Sequence, residues 1–138
     1  MKDLYEMKFI PDLNLIYSKA KIGLEFNDFV SINQKVKKNI EYALQYNCNK
    51  ILFDYSEVEL KIESNTLYYV SENFHNLFKL PFPVKCAIWY GDKLNFENWK
   101  KYKFYIDNYN LDFINGFSKI EDTFDWLELD VAKLNLLY

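Results

Sequence analysis

A single-domain α/β fold built on a mixed, mostly parallel sheet is what this sequence predicts, and three observations predict it. Two short apolar runs, residues 50–55 (KILFDY) and 84–90 (VKCAIWY), have the pattern of parallel strands buried on both faces. Segments with apolar residues at helical spacing alternate with them, which calls for right-handed crossovers and helices on both faces of the sheet. The chain has 138 residues, 50% hydrophobic and 20% aromatic, which excludes a disordered chain. At that length roughly two-thirds of the unfolded surface is buried, enough for one core.

Tyr5, Met7 and Phe9 alternate with charged residues, Pro11 and Asp12 interrupt, and Leu13, Leu15 and Tyr17 resume the alternation, as in a β-hairpin. Gly23 breaks the chain. From Asn27, a residue suited to an N-cap, Phe29, Ile32, Val36, Ile40 and Ala43 mark an amphipathic helix to about Tyr46, with Lys37, Lys38, Glu41 and Gln45 on its solvated face. The central strand follows at 50–55. A second helix is expected from near Ser64, packing Leu67, Val70, Phe74 and Leu77 and presenting Tyr68, Glu72, His75 and Lys79, until Pro81 and Pro83 end it. After the strand at 84–90 and a turn at Gly91, a third helix from about Asn95 carries Trp99, Tyr102, Ile106 and Tyr109, with Phe104 off the stripe. Residues 112–117 (DFINGF) read as the last strand. Ser118 and Glu121 have capping-box spacing ahead of a helix holding Phe124, Trp126 and Leu127. The order is ββαβαβαβα, with four helices, one domain over residues 1–138, and an apolar C-terminal extension at 130–138. Val131, Leu134, Leu136 and Leu137 are too apolar to leave in water, so the extension docks on its own domain or on a second copy.

Several function classes are excluded by composition. All 17 basic residues are Lys and the net charge is −3, so a broad phosphate-neutralising nucleic-acid surface is not expected. The absence of Arg also removes the planar fork for bidentate anion recognition, although base composition of the genome gives the same result. Three glycines, Gly23, Gly91 and Gly116, leave no dinucleotide-binding or P-loop motif, and one histidine with two separated cysteines leaves no zinc-binding pattern. No cofactor or metal is therefore expected. Cys48 and Cys86 read as buried free thiols of a reduced, cytoplasmic protein, and the charged N-terminal stretch MKDLYEMKFIPDL has no signal-peptide core. No run approaches a membrane span.

Asp54 is the most informative acid, because the carboxyl ends of parallel strands border the crevice where open α/β sheets bind ligands. With Glu57 or Glu59 it offers a paired-carboxylate or cation-binding reading; followed by Tyr55 and Ser56, it equally suits hydrogen bonds to its own turn.

The hairpin KFIPDLNLIYSK, the glycine and helix after it, the strands KILFDYSEV and VKCAIWYGD, and the closing GFSKIEDTFDWL with its Trp126–Leu127 pair resemble the STAS (anti-sigma-factor antagonist) and SpoIIAA-like superfamily over residues 5–129. The resemblance implies this fold, a bacterial source, and a non-enzymatic regulatory or protein-interaction role. In antagonist members a Ser in an Asp-Ser-Ser-Gly-like turn after the central strand is phosphorylated by a partner kinase. Here the matching stretch is LKIESNTL, which lacks that motif; Ser64 stands at the place, as an ordinary N-cap or as a phosphate acceptor at a helix N-terminus. The expected partner-binding residues are thus Asp54, Ser56, Ser64, Tyr68 and Phe104, the partner being a protein or, in a homodimer, a second copy. The alternatives are a domain that binds an apolar or amphipathic, lipid-like molecule in a cavity lined by Phe and Tyr, and an acid-dependent enzyme using Asp54.

Overall fold

The computed structural model describes residues 5–21, 29–58, 79–91, 100, 103 and 113–138. Its five strands are β1 (Tyr5–Ile10), β2 (Leu15–Ala20), β3 (Lys50–Asp54), β4 (Lys85–Trp89) and β5 (Ile114–Phe117). They stand in one sheet in chain order, β1-β2-β3-β4-β5. β1 runs antiparallel to β2, and the other three pairings are parallel. The α/β class and the mostly parallel sheet follow the sequence reading. Among the described residues, α-helix occurs at α1 (Phe29–Tyr46), at Lys100 and Lys103, and at α2 (Ile120–Trp126), three regions where the sequence predicts four helices. The second expected helix, Asn27 and His75 lie outside the described residues, and the last strand begins at Ile114 rather than 112.

Pro11 fixes a backbone angle suited to a single 3-10 turn, Pro11–Leu13, and Asn14 closes it in the left-handed region at φ 47°. Leu13 therefore belongs to the turn and not to the strand. β2 also departs from simple hairpin alternation: Leu15, Ile16, Tyr17, Ser18 and Ala20 are all buried, because the strand pairs on both sides and is covered on both faces.

The core has two layers, one on each face of the sheet. On one face α1 packs Val36 and Ala43 over Ile16, Ala20, Ile51, Phe53, Cys86 and Ile88. On the other, Phe124 and Leu127 of α2 and Leu137 of the tail pack on Leu15, Tyr17, Leu52 and Ala87. Successive strand residues face opposite ways, so the near-continuous apolar runs of β2, β3 and β4 supply both layers at once.

Both helices end in the same device. Asn47 and Glu128 adopt left-handed backbone, at φ 50° and φ 60°. The amides of Cys48 and Leu129 then reach back to the carbonyls of Ala43 and Phe124, at 2.9 and 2.8 Å. This is the Schellman pattern, with the residue after the left-handed one packed against the helix it closes. α2 starts without the expected capping box: its N-cap is Lys119, with no side-chain cap, and exposed Ser118 instead offers its carbonyl to the Trp89 indole at 3.1 Å. Lys85 sits at the other end of α2, 3.2 Å from the Trp126 carbonyl, where a cation complements the helix dipole.

The reversal at Glu128 turns the chain back onto the sheet. Asp130 caps the 3-10 segment Val131–Leu137 by accepting from the Ala132 amide at 3.0 Å. Leu137 is buried in the second layer, and Leu129, Val131, Leu134 and Leu136 pack around it, so the apolar extension docks on its own domain.

Leu137→Ala is expected to cost about 2–4 kcal/mol of unfolding free energy, read by urea denaturation, because the tail's deepest contact with the sheet is lost. Glu128→Gly is expected to raise stability by about 0.5–1 kcal/mol, since glycine adopts the left-handed turn without a Cβ penalty; an unchanged or lower midpoint would contradict that origin.

Candidate functional site

The carboxyl ends of the parallel strands bring Lys19 of β2, Asp54 of β3 and Trp89 of β4 into register side by side. Asp54 is 1% exposed and faces the layer that holds Tyr17 and Leu52. One carboxylate oxygen accepts from the Tyr17 hydroxyl. The other accepts from the Ser56 amide at 3.0 Å and the Ser56 hydroxyl at 2.6 Å, an Asx-turn closed on both sides. A buried carboxylate is stable only when hydrogen-bonded or paired, and here three donors converge on it.

The turn that leaves β3 is fixed on further sides. The Tyr55 amide donates to the Trp89 carbonyl at 2.8 Å, and the Val58 amide to the Tyr55 carbonyl at 3.2 Å. Gly91 closes over the turn: it has φ +75°, and a Cβ there would stand 3.2 Å from both Cα and Cβ of Ser56. Left-handed backbone and close approach both require glycine at this position. Beyond the buried turn, Lys19 reaches the exposed Glu57 at 3.5 Å, so Glu57 is ion-paired on the surface and does not form a carboxylate pair with Asp54.

These contacts decide what Asp54 does chemically. General acid–base work requires a carboxyl that reaches a substrate proton. Asp54 spends both oxygens on its own fold and is closed off from solvent, so it anchors the loop. Tyr17 answers in kind: burial, then the hydrogen bond and the negative charge of Asp54, push its phenol well above the ordinary range and keep it a neutral donor. Burial likewise raises Cys86 well above the usual thiol range and raises Cys48, whose Sγ donates to the carbonyls of Asn14 and Lys50; both are free cysteines held as inert thiols.

A second polar cluster bridges α1 and the hairpin. Buried Asn39 accepts from the Ser18 hydroxyl and donates to the Tyr5 hydroxyl at 3.0 Å and the Lys35 carbonyl at 2.9 Å. Two clefts flank the sheet. One, of about 290 Å³, is lined by Glu6, Met7, Lys8, Tyr17 and Leu137; the other, of about 430 Å³, is apolar and lies at the start of β4 beside Leu80, Phe82, Pro83 and Phe113. Among the described residues no three His, Cys, Asp or Glu side chains gather into a metal-binding group, and no helix is long and apolar enough to cross a membrane.

Of the residues expected at the site, the structure brings Asp54 and half-buried Ser56 together, while Ser64, Tyr68, Phe104 and Glu59 lie outside the described residues. Tyr17, Asn39 and Gly91 carry roles that the sequence reading did not assign. A polar residue inside an apolar helical stripe was the available signal for Asn39, and a glycine directly after a buried strand was the signal for Gly91. Tyr17 looks like any other aromatic of the hairpin.

Tyr17→Phe is expected to destabilise the fold by about 1–3 kcal/mol near pH 7, because one buried oxygen of Asp54 loses its donor. It also changes the alkaline limb. The phenol's folded pKa lies above its unfolded value of 10.0, so its contribution is complete below pH 10 and is lost as pH rises further and the unfolded chain alone releases the proton. Urea titrations between pH 8 and 11 should show stability falling with pH in the wild type and falling less steeply in Tyr17→Phe; equal slopes would place the titrating groups elsewhere.

No family model matches this chain, and neither a curated protein nor a solved structure matches it. Function rests on the geometry of the strand ends.

Proposed function

We propose that this chain is a non-enzymatic regulatory or protein-interaction module of the STAS-like type, with the ββαβαβαβα order and a cytoplasmic place of action. The observation that carries the reading is the locked exit of the central strand. Asp54, Ser56, Tyr17 and Gly91 hold the turn after β3 in one geometry. In the resembled superfamily the segment after this strand presents the serine and helix that partners read. A turn held from three sides favours binding by presenting the following segment in a fixed orientation, which lowers the ordering cost of association. An acid held in the same way is unavailable for turnover, so the reading with Asp54 as a catalytic group loses its support.

The apolar cleft beside Phe82 and Phe113 gives the second reading, a domain that carries a lipid-like molecule, a definite site. Native mass spectrometry of the protein taken gently from its own cells separates the two. An added polypeptide mass, lost in Tyr68→Ala or Ser64→Glu while the melting temperature holds, is the expected result. A retained non-covalent mass of a few hundred daltons and no polypeptide would replace the interaction module with the carrier.

A further inference from the structure

The strand β1 ends the sheet, and among the described residues no strand pairs with its outer edge. An open edge is a template for another strand, and proteins that must stay apart guard it with like charges, prolines or bulges. β1 carries instead one charge of each sign, Glu6 and Lys8, both exposed and two residues apart on the same face. We propose that β1 is a self-complementary docking edge, and that two copies of this chain join antiparallel across it into one continuous ten-stranded sheet centred on Met7.

The register follows from symmetry. A two-fold axis perpendicular to the sheet sets residue i opposite residue j with i + j even, because facing residues must share a face of the joint sheet. Centring on Glu6 puts Glu6 against Glu6, and centring on Lys8 puts Lys8 against Lys8; both repel. Centring on Met7 puts Glu6 opposite Lys8 of the second copy, twice over. On the other face it sets Tyr5 against Phe9, an aromatic cross-strand pair.

The surroundings of the edge fit a covering copy. The cleft of about 290 Å³ is lined by Glu6, Met7 and Lys8 in succession. Consecutive strand residues face opposite ways, so a cleft that touches all three follows the strand's edge rather than one face. On the α1 face Phe9 stacks on Tyr46 at 4.3 Å, and Tyr46 is one of the few large hydrophobic side chains left exposed. Glu6 already meets Lys21 of its own chain at 2.5 Å, which holds its carboxylate at the edge while leaving the side chain 60% exposed.

Sedimentation equilibrium of the full chain across micromolar concentrations tests this. The wild type should show twice the chain mass of 16.7 kDa. Lys8→Glu replaces both attractive pairs with Glu–Glu pairs and should weaken dimerisation by roughly ten- to thirty-fold. Glu6→Lys combined with Lys8→Glu reverses both charges, restores opposite signs across the axis and should return the dimer. Circular dichroism of each variant should match the wild type, since the exchanged residues are on the surface. A monomeric wild type, a dimer indifferent to Lys8→Glu, or a double variant as weak as the single one would each overturn the proposal.

Discussion

The structure depends on one topological constraint: its strands are added in chain order, each beside the last. Right-handed crossovers that always step the same way bring their connections to one face of the sheet. The layer on that face includes α1. A sheet of two-sided apolar strands needs a second cover, and here it comes from the chain beyond β5. The left-handed turn at Glu128 redirects the backbone from α2 into the 3-10 segment, and Leu137 completes the layer over Leu15, Leu52 and Ala87. The apolar tail is therefore a structural layer of the domain.

That cover has a chemical consequence. At the carboxyl end of the central strand a charged group stands against a layer that excludes water, and its solvation must be replaced by protein donors. Tyr17 supplies one from β2, and Ser56 supplies two from the turn. Because Tyr17 belongs to the same apolar layer as Leu137, the tail, the hairpin and the exit of β3 are physically connected through one buried hydroxyl–carboxylate contact. The Ser18–Asn39–Tyr5 cluster does the corresponding work on the α1 face, fixing the helix against the hairpin by directional bonds where Val36 and Ala43 provide only shape. Apolar packing holds the sheet between its layers, and these two polar clusters set how its parts are oriented.

What the sequence made legible follows this division. Periodicity reports burial, so the strands at KILFDY and KCAIW, the stripe of Val36, Ile40 and Ala43, and the solvated Lys37, Lys38 and Glu41 could be read directly. The alternation of the hairpin was visible, but Ile16 and Ser18 were harder to place because burial of β2 on both faces depends on a parallel neighbour and on a tail more than a hundred residues away. The capping box at Ser118 failed for a related reason: local spacing allowed it, but its carbonyl was drawn to the Trp89 indole and the helix began one residue later. Asp54 was legible as a residue of consequence from its place at a strand end. Its role was not, since whether an acid serves a ligand or its own loop depends on Tyr17, which lies 37 residues away in sequence.

The same reasoning separates two kinds of surface on this molecule. The end of β3 is rigid because every polar group nearby is satisfied from within, so what it presents depends on the segment that follows and not on Asp54 itself. The edge of β1 is the opposite case. Its backbone direction is fixed by pairing with β2, while its outward side carries exposed charges of both signs. A satisfied site resists new partners because each new bond must replace an existing one, whereas an open edge gains bonds without breaking any. Self-association at β1 and presentation at the exit of β3 therefore do not compete. They lie on different elements, and a second copy seated along the edge leaves the turn after the central strand, with Gly91 closed over it, unchanged.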